Sequence, residues 1–356
     1  MMKQILNRPF FIKLFNWEYW PFHVVYMPIY FYWLWLGIRA RSFFFFSTSN
    51  PTIRNAGFLL ESKKEIYDLM PEQYYPVTTL IKAGTRMDDV LKAIEIKKLK
   101  YPMVCKPDIG MQGKAVKKID GDTELAAYLE RSHVDFLIQE FIPYENEVGI
   151  FYYRYPGQAK GMISGIVQKE FLAVTGDGHS TIEELLKKDQ RFILQLETLR
   201  RTDGIHFNTI LEDGKKHVLV PYGNHVRGAK FLDATHKADE SLIHSIDEAC
   251  KKINGFYFGR LDIRYNNWEE LRQGKNFSII ELNGAGSEPT HMYDPKHSIF
   301  FAWKEIVKHL NILARISRMN RKAYDLSYMK LADGLQMIRD NNNYVKILDE
   351  FKIKSR

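Results

Sequence analysis

The sequence has only two cysteines, Cys105 and Cys250, so no disulfide framework holds it together and a reducing cytosol suits it. Cys105 lies in an apolar run and reads as a plain core residue. No internal repeat or low-complexity tract appears, which excludes repeat architectures. Two familiar nucleotide motifs are also missing. There is no GxGxxG, and Gly113-Lys114 is followed by Ala115 with no glycine five residues before Gly113, so no Walker A loop is present. No small-residue cleavage site follows the apolar N-terminal stretch, which argues against a cleaved signal peptide.

Charge is present but unevenly placed. Of the net +8, residues 1–50 supply five Lys/Arg against Glu18, and residues 315–356 supply ten Lys/Arg against five Asp/Glu, which leaves the middle at −1. Basic ends around a near-neutral middle do not make a nucleic-acid groove. They suit an anionic surface such as a membrane.

Aromatic residues are concentrated as well, with 17 of the 49 in residues 1–50. From Tyr19 to Ile38 (YWPFHVVYMPIYFYWLWLGI) there is no Lys, Arg, Asp or Glu, and 20 such residues are just long enough to span a bilayer. Pro21 and Pro28 interrupt the stretch, and its Trp and Tyr prefer the headgroup level. Arg39 and Arg41, followed by Phe43 to Phe46, suit an interfacial anchor. Three readings stay open: interfacial or re-entrant attachment, a transmembrane helix, and an aromatic soluble core or oligomer interface.

Downstream, SKKEIYDLM, MDDVLKAIEIKKL, TELAAYLERS and ADESLIHSIDEACKKI have helical spacing. VTTLI, YPMVCKP, FLIQEFI, EVGIFYYRY and GMISGIVQKEFLAV read as strands. GDGHSTIEELLKK is a turn and a capped helix, with Ser180 or Thr181 as N-cap and Glu183 or Glu184 in the first turn. FGRLDIRY and NFSIIELN read as two antiparallel strands joined by a polar stretch, and the tail from Ile299 is helical and basic. The order is mixed α+β with at least two sheets.

One stretch poses a chemical question. In IIELNGAG, Glu281 and Asn283 share a strand face because side chains alternate. A buried, unpaired carboxylate is costly, so this face needs a partner. Arg260 and Asp262 lie on the preceding strand, where Asp262 can converge with Glu281. Asp, Glu and Asn oxygens with open positions suit Mg²⁺, usually completed by waters and phosphates. A salt-bridged strand pair using Arg260 or Arg264 is the structural alternative. The loop CKPDIGMQGKAV is by itself a weak signal, readable as a hairpin with a surface lysine.

Six pieces in order resemble the ATP-grasp superfamily, over roughly residues 60–295: ESKKEIYDLMPEQYYPVT, VCKPDIGMQGKAV, QEFIPYENEVG, VTGDGHSTIEELL, HVRGAKFLDAT, and RLDI with IIELNGAG. The nearest patterns are the D-alanine–D-alanine ligases and the ATP-grasp part of cyanophycin synthetase. The resemblance implies two α+β subdomains clasping ATP, preceded by an aromatic N-terminal segment and followed by a basic helical tail. The implied bounds are residues 1–50 for the aromatic segment, 51–100 for a linker region, 101–180 for the ATP-binding subdomain, 181–312 for the metal and catalytic subdomain, and 313–356 for the tail.

By the same resemblance Lys106 holds the α/β-phosphates, with Lys63 a second contact for which Lys64 competes. Glu140 accepts the adenine amino group, the backbone of Phe141 and Ile142 reads the ring edge, and Glu147 binds the ribose, with solvated hinge charges as the alternative for the two glutamates. Gly110 and Gly113 close over the phosphates, with an ordinary tight turn as the alternative. Asp262, Glu281 and Asn283 hold Mg²⁺, and Arg260 stabilises charge on the acyl phosphate. Lys169, Arg227 and Lys230 reach toward the γ-phosphate or substrate. His225 and His291 touch substrate or are structural, and His179 belongs to its turn.

The implied activity is an ATP- and Mg²⁺-dependent carboxylate–amine ligase acting through an acyl phosphate. An ATP-grasp kinase acting on a hydroxyl and a non-catalytic, membrane-bound nucleotide sensor are the competing readings. The aromatic segment stands in place of the domain that precedes ATP-grasp in D-alanine ligases, which points to a cell-envelope or amphiphilic substrate. The implied partners are ATP, a carboxylate and an amine, with no nucleic acid. Membrane contact is through residues 1–50, from the cytoplasmic side, and a homodimer is one assembly the resemblance allows.

Overall fold

The computed structural model describes residues 8–110, 113–200, 205–220, 223 and 225–350. Met111 and Gln112 of the expected glycine loop lie outside the described residues, as do residues 1–7 and 351–356 of the two ends.

Eleven strands are present among the described residues: β1 Thr78–Ile81, β2 Met103–Pro107, β3 Lys117–Ile119, β4 Phe136–Glu140, β5 Asn146–Tyr153, β6 Met162–Glu170, β7 Leu172–Thr175, β8 Lys216–Val220, β9 Lys230–Asp233, β10 Phe258–Tyr265 and β11 Phe277–Asn283. They form a four-stranded sheet in the order β1-β4-β2-β3, a five-stranded sheet in the order β11-β10-β5-β6-β9, and the pair β7-β8. Every recorded pairing is antiparallel. This is the α+β arrangement the order of elements predicts.

Each sheet buries one face against helices whose apolar residues recur at helical spacing. Leu242, Ile246 and Cys250, four residues apart on the helix Glu240–Lys251, pack with Val148, Ile150, Leu261 and Ile263 beneath the five-stranded sheet. Asp239 caps that helix by accepting from the amide of Leu242. Val90 and Leu125, from two other helices, close over Met103, Cys105 and Ile138 of the four-stranded sheet. Cys105 and Cys250 are both buried and free. The helix Ile182–Lys187 starts in the capping box read from the sequence, formed by Thr181 and Glu184.

The aromatic N-terminus divides between two roles. Its helix Phe22–Ala40 turns Val25, Ile29 and Leu36 inward, and Trp303 of the helix Ile299–Ala323 donates to the carbonyl of Val25 at 2.8 Å. The other side exposes Met27 (61%), Phe31 (74%), Leu34 and Ile38 (69%), a stripe at helical spacing. No helix among the described residues is long and apolar enough to cross a membrane. Phe44, Phe45 and Phe46, which the sequence alone suggests as anchor residues, are instead core. They pack with Phe151, Phe258, Leu313 and Ile316.

Asn50 ties this segment to β10. Its amide donates to the carbonyls of Ala56 (3.0 Å) and Phe258 (2.8 Å), and its oxygen accepts from the amides of Tyr257 (2.9 Å) and Phe258 (3.0 Å). The expected boundary at residue 50 therefore falls inside a packed cluster. That at residue 313 falls within the continuous helix Ile299–Ala323.

Candidate active site

The β10–β11 hairpin is in register at the residues singled out from the sequence. Arg260 stands opposite Asn283, and Asp262 opposite Glu281. After Asp262 the register shifts, because Ile280 is an extra residue and Ile263 pairs with Ile279. This bulge lets Leu282 and Ile279 both join the core while Glu281 keeps to the opposite, polar face. It also turns the carbonyl of Ile280 toward the four-stranded sheet.

Lys106, the penultimate residue of β2, meets that carbonyl. Its Nζ donates to Ile280 O at 2.9 Å and to the Tyr67 hydroxyl at 3.0 Å. Tyr67 in turn donates to Ile280 O. No carboxylate pairs with Lys106 among the described residues, and burial pulls its ammonium down to about 8 from an ordinary 10.5. Lys63, at the start of the helix Lys63–Asp68, donates from Nζ to the carbonyl of Gly110 at 2.8 Å and lies 3.6 Å from Glu281. Lys64 is committed elsewhere, to Asp68, which separates it from Lys63. Asp108 holds the same helix start, accepting from the Lys64 amide at 2.8 Å. Lys106, Lys63, Gly110 and Glu281 therefore meet between the two sheets.

The remaining charged residues form a buried ion network on the same face. Asp262 contacts Lys169 at 3.1 Å and takes two bonds from Arg260, at 3.1 and 3.2 Å. Burial alone would raise its carboxyl, but Arg260 and Lys169 outweigh this and hold it below the usual range. Glu147 pairs with Lys169 at 2.8 Å and with Arg264 at 3.1 Å. Glycine at position 149 makes room: a Cβ there would lie 2.7 Å from Val167 and 3.1 Å from the Asp262 carboxylate. Gly223 covers Glu147 so closely that a Cβ would lie 2.5 Å from its carboxylate.

Other expected residues sit as follows. Glu140 is exposed at the end of β4, where its carboxylate accepts from the Val77 amide at 3.3 Å. Phe141 and Ile142 follow, half-buried, with Lys118 over the Phe141 ring at 5.4 Å. Arg227 donates to the carbonyl of Gly113 at 3.2 Å, so the segment 225–227 does reach the glycine loop. Lys230 pairs with Asp189 at 3.0 Å instead. His225 bonds Glu18 at 3.0 Å. His291 is buried against Glu305 at 3.2 Å. His179 bonds within its own turn, to the carbonyl of Asp177.

Four participants had no signal in the sequence. Tyr67 becomes a partner of Lys106 only through the fold. Glu288 accepts from the hydroxyls of Tyr26 and Tyr293, and its carbonyl accepts from Arg260 at 3.3 Å, which brings the N-terminal helix to the site. The C-terminal helix Leu331–Glu350 brings Asp349 to Lys114, and Leu348 lies beside Gly110.

The donor set fits a polyphosphate: a buried ammonium without a counter-ion, a second lysine and a loop carrying two glycines. For a divalent cation it offers the carboxylate of Glu281, one-third exposed, and the amide oxygen of Asn283, while the buried and unpartnered Nδ2 of Asn283 is a donor suited to an anionic oxygen. Asp262 is already neutralised by two cations. Among the described residues no three His, Cys, Asp or Glu side chains gather around one point.

Two antiparallel sheets with Lys106 and Lys63 meeting between them define a candidate anion site on an α+β frame. No protein-family model matches the chain. It is similar to the glutathione biosynthesis bifunctional protein of Clostridium perfringens, 29% identical over 137 residues, 34% of this chain and 18% of that one. Among solved structures it is similar to the VanG D-Ala:D-Ser ligase of Enterococcus faecalis, at 16% identity and TM-score 0.41 over 73% of this chain and 61% of that one. It is also similar to the D-alanine–D-alanine ligase of Bacillus anthracis, at 15% identity and TM-score 0.42 over 74% and 69%. The chain thus spans under a fifth of the curated relative's length.

Proposed function

We propose that the chain is an ATP- and Mg²⁺-dependent carboxylate–amine ligase that forms an amide through an acyl phosphate. We place it at the inner face of a membrane, acting on a cell-envelope or amphiphilic substrate. The observation that carries the chemistry is Lys106. A buried ammonium bonded only to a hydroxyl and a carbonyl, with Glu281 and Asp108 acting on it through space and not in contact, favours an anionic ligand between the sheets.

In this reading Lys106 and Lys63 bind and orient the phosphates, and the glycine loop shields them from water. Mg²⁺ would be held by Glu281 and Asn283, with Asp262 behind them, and would neutralise charge on the transferred phosphoryl group. Arg260, fixed in place by both oxygens of Asp262, stabilises negative charge on the acyl phosphate and on the tetrahedral intermediate. Glu140 and the backbone after it read the adenine. Glu147 is bonded to Lys169 and Arg264, so a ribose role for it requires opening of the cover at Gly223.

The exposed stripe Met27, Phe31, Ile38 supports the membrane surface.

The test is phosphate release from ATP with panels of carboxylic acids, amines and amino acids. Release should require both a carboxylate and an amine, and Lys106→Met and Glu281→Gln should each abolish it. Unchanged turnover in both variants sinks the assignment. ADP formed with an alcohol alone, and a phosphorylated product, would make the protein a kinase.

A further inference from the structure

We propose that the groove between the helix Phe22–Ala40 and the segment entering the helix Leu331–Glu350 binds one anionic lipid molecule. Its acyl chain lies along the apolar walls and its acidic headgroup meets Arg41 and Lys330. The proposal rests on the membrane-surface reading and goes beyond it, from a face that touches a bilayer to a site that holds one lipid.

The groove has a volume of about 580 Å³. Its walls are Leu34, Ile38, Phe43, Phe44, Met329 and Leu331, and the lining contains no Asp or Glu. That volume falls in the range of small-molecule sites, about 300–1,000 Å³, and exceeds what a bare phosphate would fill. Arg41 and Lys330 are exposed, and neither has an ion-pair partner among the described residues. A guanidinium and an ammonium over an apolar trough complement an acidic headgroup above a hydrocarbon chain.

Arg41 ends its helix in the left-handed region, at φ 53° and ψ 32°, where glycine is the usual residue because a Cβ is disfavoured.

Position decides the occupant. Leu34 and Ile38 belong both to the groove and to the exposed stripe of the same helix, so the groove opens where that stripe would enter the bilayer. A lipid reaches it directly from the membrane.

The test titrates the full chain by calorimetry with a short-chain phosphatidylglycerol kept below its micelle concentration. Phosphatidylcholine of equal chain length and inorganic phosphate are the comparison ligands. Saturable binding of one phosphatidylglycerol per chain is expected, at least tenfold tighter than phosphatidylcholine, with no uptake of phosphate at the same concentrations. Arg41→Gly and Lys330→Gln should each weaken it at least tenfold. Arg41→Gly relaxes the backbone, so its thermal midpoint should not fall, and lost binding cannot be lost folding. Absence of saturable binding, equal affinity for the two lipids, unchanged affinity in both variants, or phosphate binding as well as the lipid would each overturn the proposal. Co-sedimentation with phosphatidylglycerol vesicles separates the two levels. If vesicle binding survives without binding of monomeric lipid, the groove site fails and the membrane reading stands. If vesicle binding is also absent, both fail.

Discussion

Asp262 and Glu281 stand directly opposite each other on β10 and β11, yet they are held in different ways. Asp262 is buried between Arg260 and Lys169, whereas Glu281 is one-third exposed with Lys63 at 3.6 Å. Substituting each by its amide should therefore separate stability from activity. Asp262→Asn leaves two buried cations short of a partner and should cost about 3–5 kcal/mol. Glu281→Gln should cost less than about 1 kcal/mol, because its pair is loose and solvated, while lowering turnover at least about 100-fold. Urea denaturation and a phosphate-release assay on both variants check the split. Equal destabilisation by the two would show that Glu281 is a structural partner only.

Lys106 makes a pH prediction with a definite sign. Burial holds its ammonium at about 8, so the cation that attracts phosphate is present below that pH and is lost as pH rises through it. Then kcat/KM for ATP should fall above about pH 8, and Lys106→Arg, charged throughout, should flatten this limb whatever its absolute rate. Stability moves the opposite way. The folded pKa lies below the unfolded one, so the cost of the buried charge is present below about pH 8 and is relieved between there and the unfolded value. A pH series of urea midpoints for the wild type and Lys106→Met should show this rise in the wild type alone.

Gly284 is where the N-terminal segment touches the turn after β11. A Cβ there would lie 2.4 Å from the carbonyl of Ala56 and 2.8 Å from Cα of Gly57, both backbone atoms. Neither can swing away like a side chain. Gly284→Ala should destabilise by about 1–3 kcal/mol, read from urea midpoints.

Asn50 offers a sharper test of how the aromatic segment is integrated. Its side chain makes four hydrogen bonds to the backbone of Ala56, Tyr257 and Phe258. Asn50→Ala should cost at least about 3 kcal/mol, since several buried backbone groups lose their partners. Deleting residues 1–50 removes Asn50 together with Phe44, Phe45 and Phe46, so the truncated chain should aggregate. Membrane affinity is therefore better measured with polar substitutions at the exposed Met27, Phe31 and Ile38.

Strand alternation made the Arg260, Asp262, Glu281 and Asn283 face legible, because period two needs only local residues. The bulge at Ile280 was not legible: no glycine or proline marks it, and only the pairing of Ile263 with Ile279 reveals it. Phe43 to Phe46 look alike in sequence, and hydrophobicity cannot say whether lipid or protein covers them. The structure exposes Phe43 and buries the other three. The ion network around Asp262 is one of two arrangements the sequence allows, since charged residues announce partners without naming them. Contacts such as Tyr26 with Glu288 and Asp349 with Lys114 join residues more than 200 positions apart, beyond any local pattern.

The helix Leu331–Glu350 begins in the groove wall at Leu331 and ends with Leu348 beside Gly110 and Asp349 on Lys114. Its 20 residues amount to about 30 Å of rigid rod. It therefore acts as a spacer of fixed length, setting how far the glycine loop stands from the apolar groove. A one-turn insertion would move that loop by about 5 Å and break either its contact with Gly110 or the groove wall.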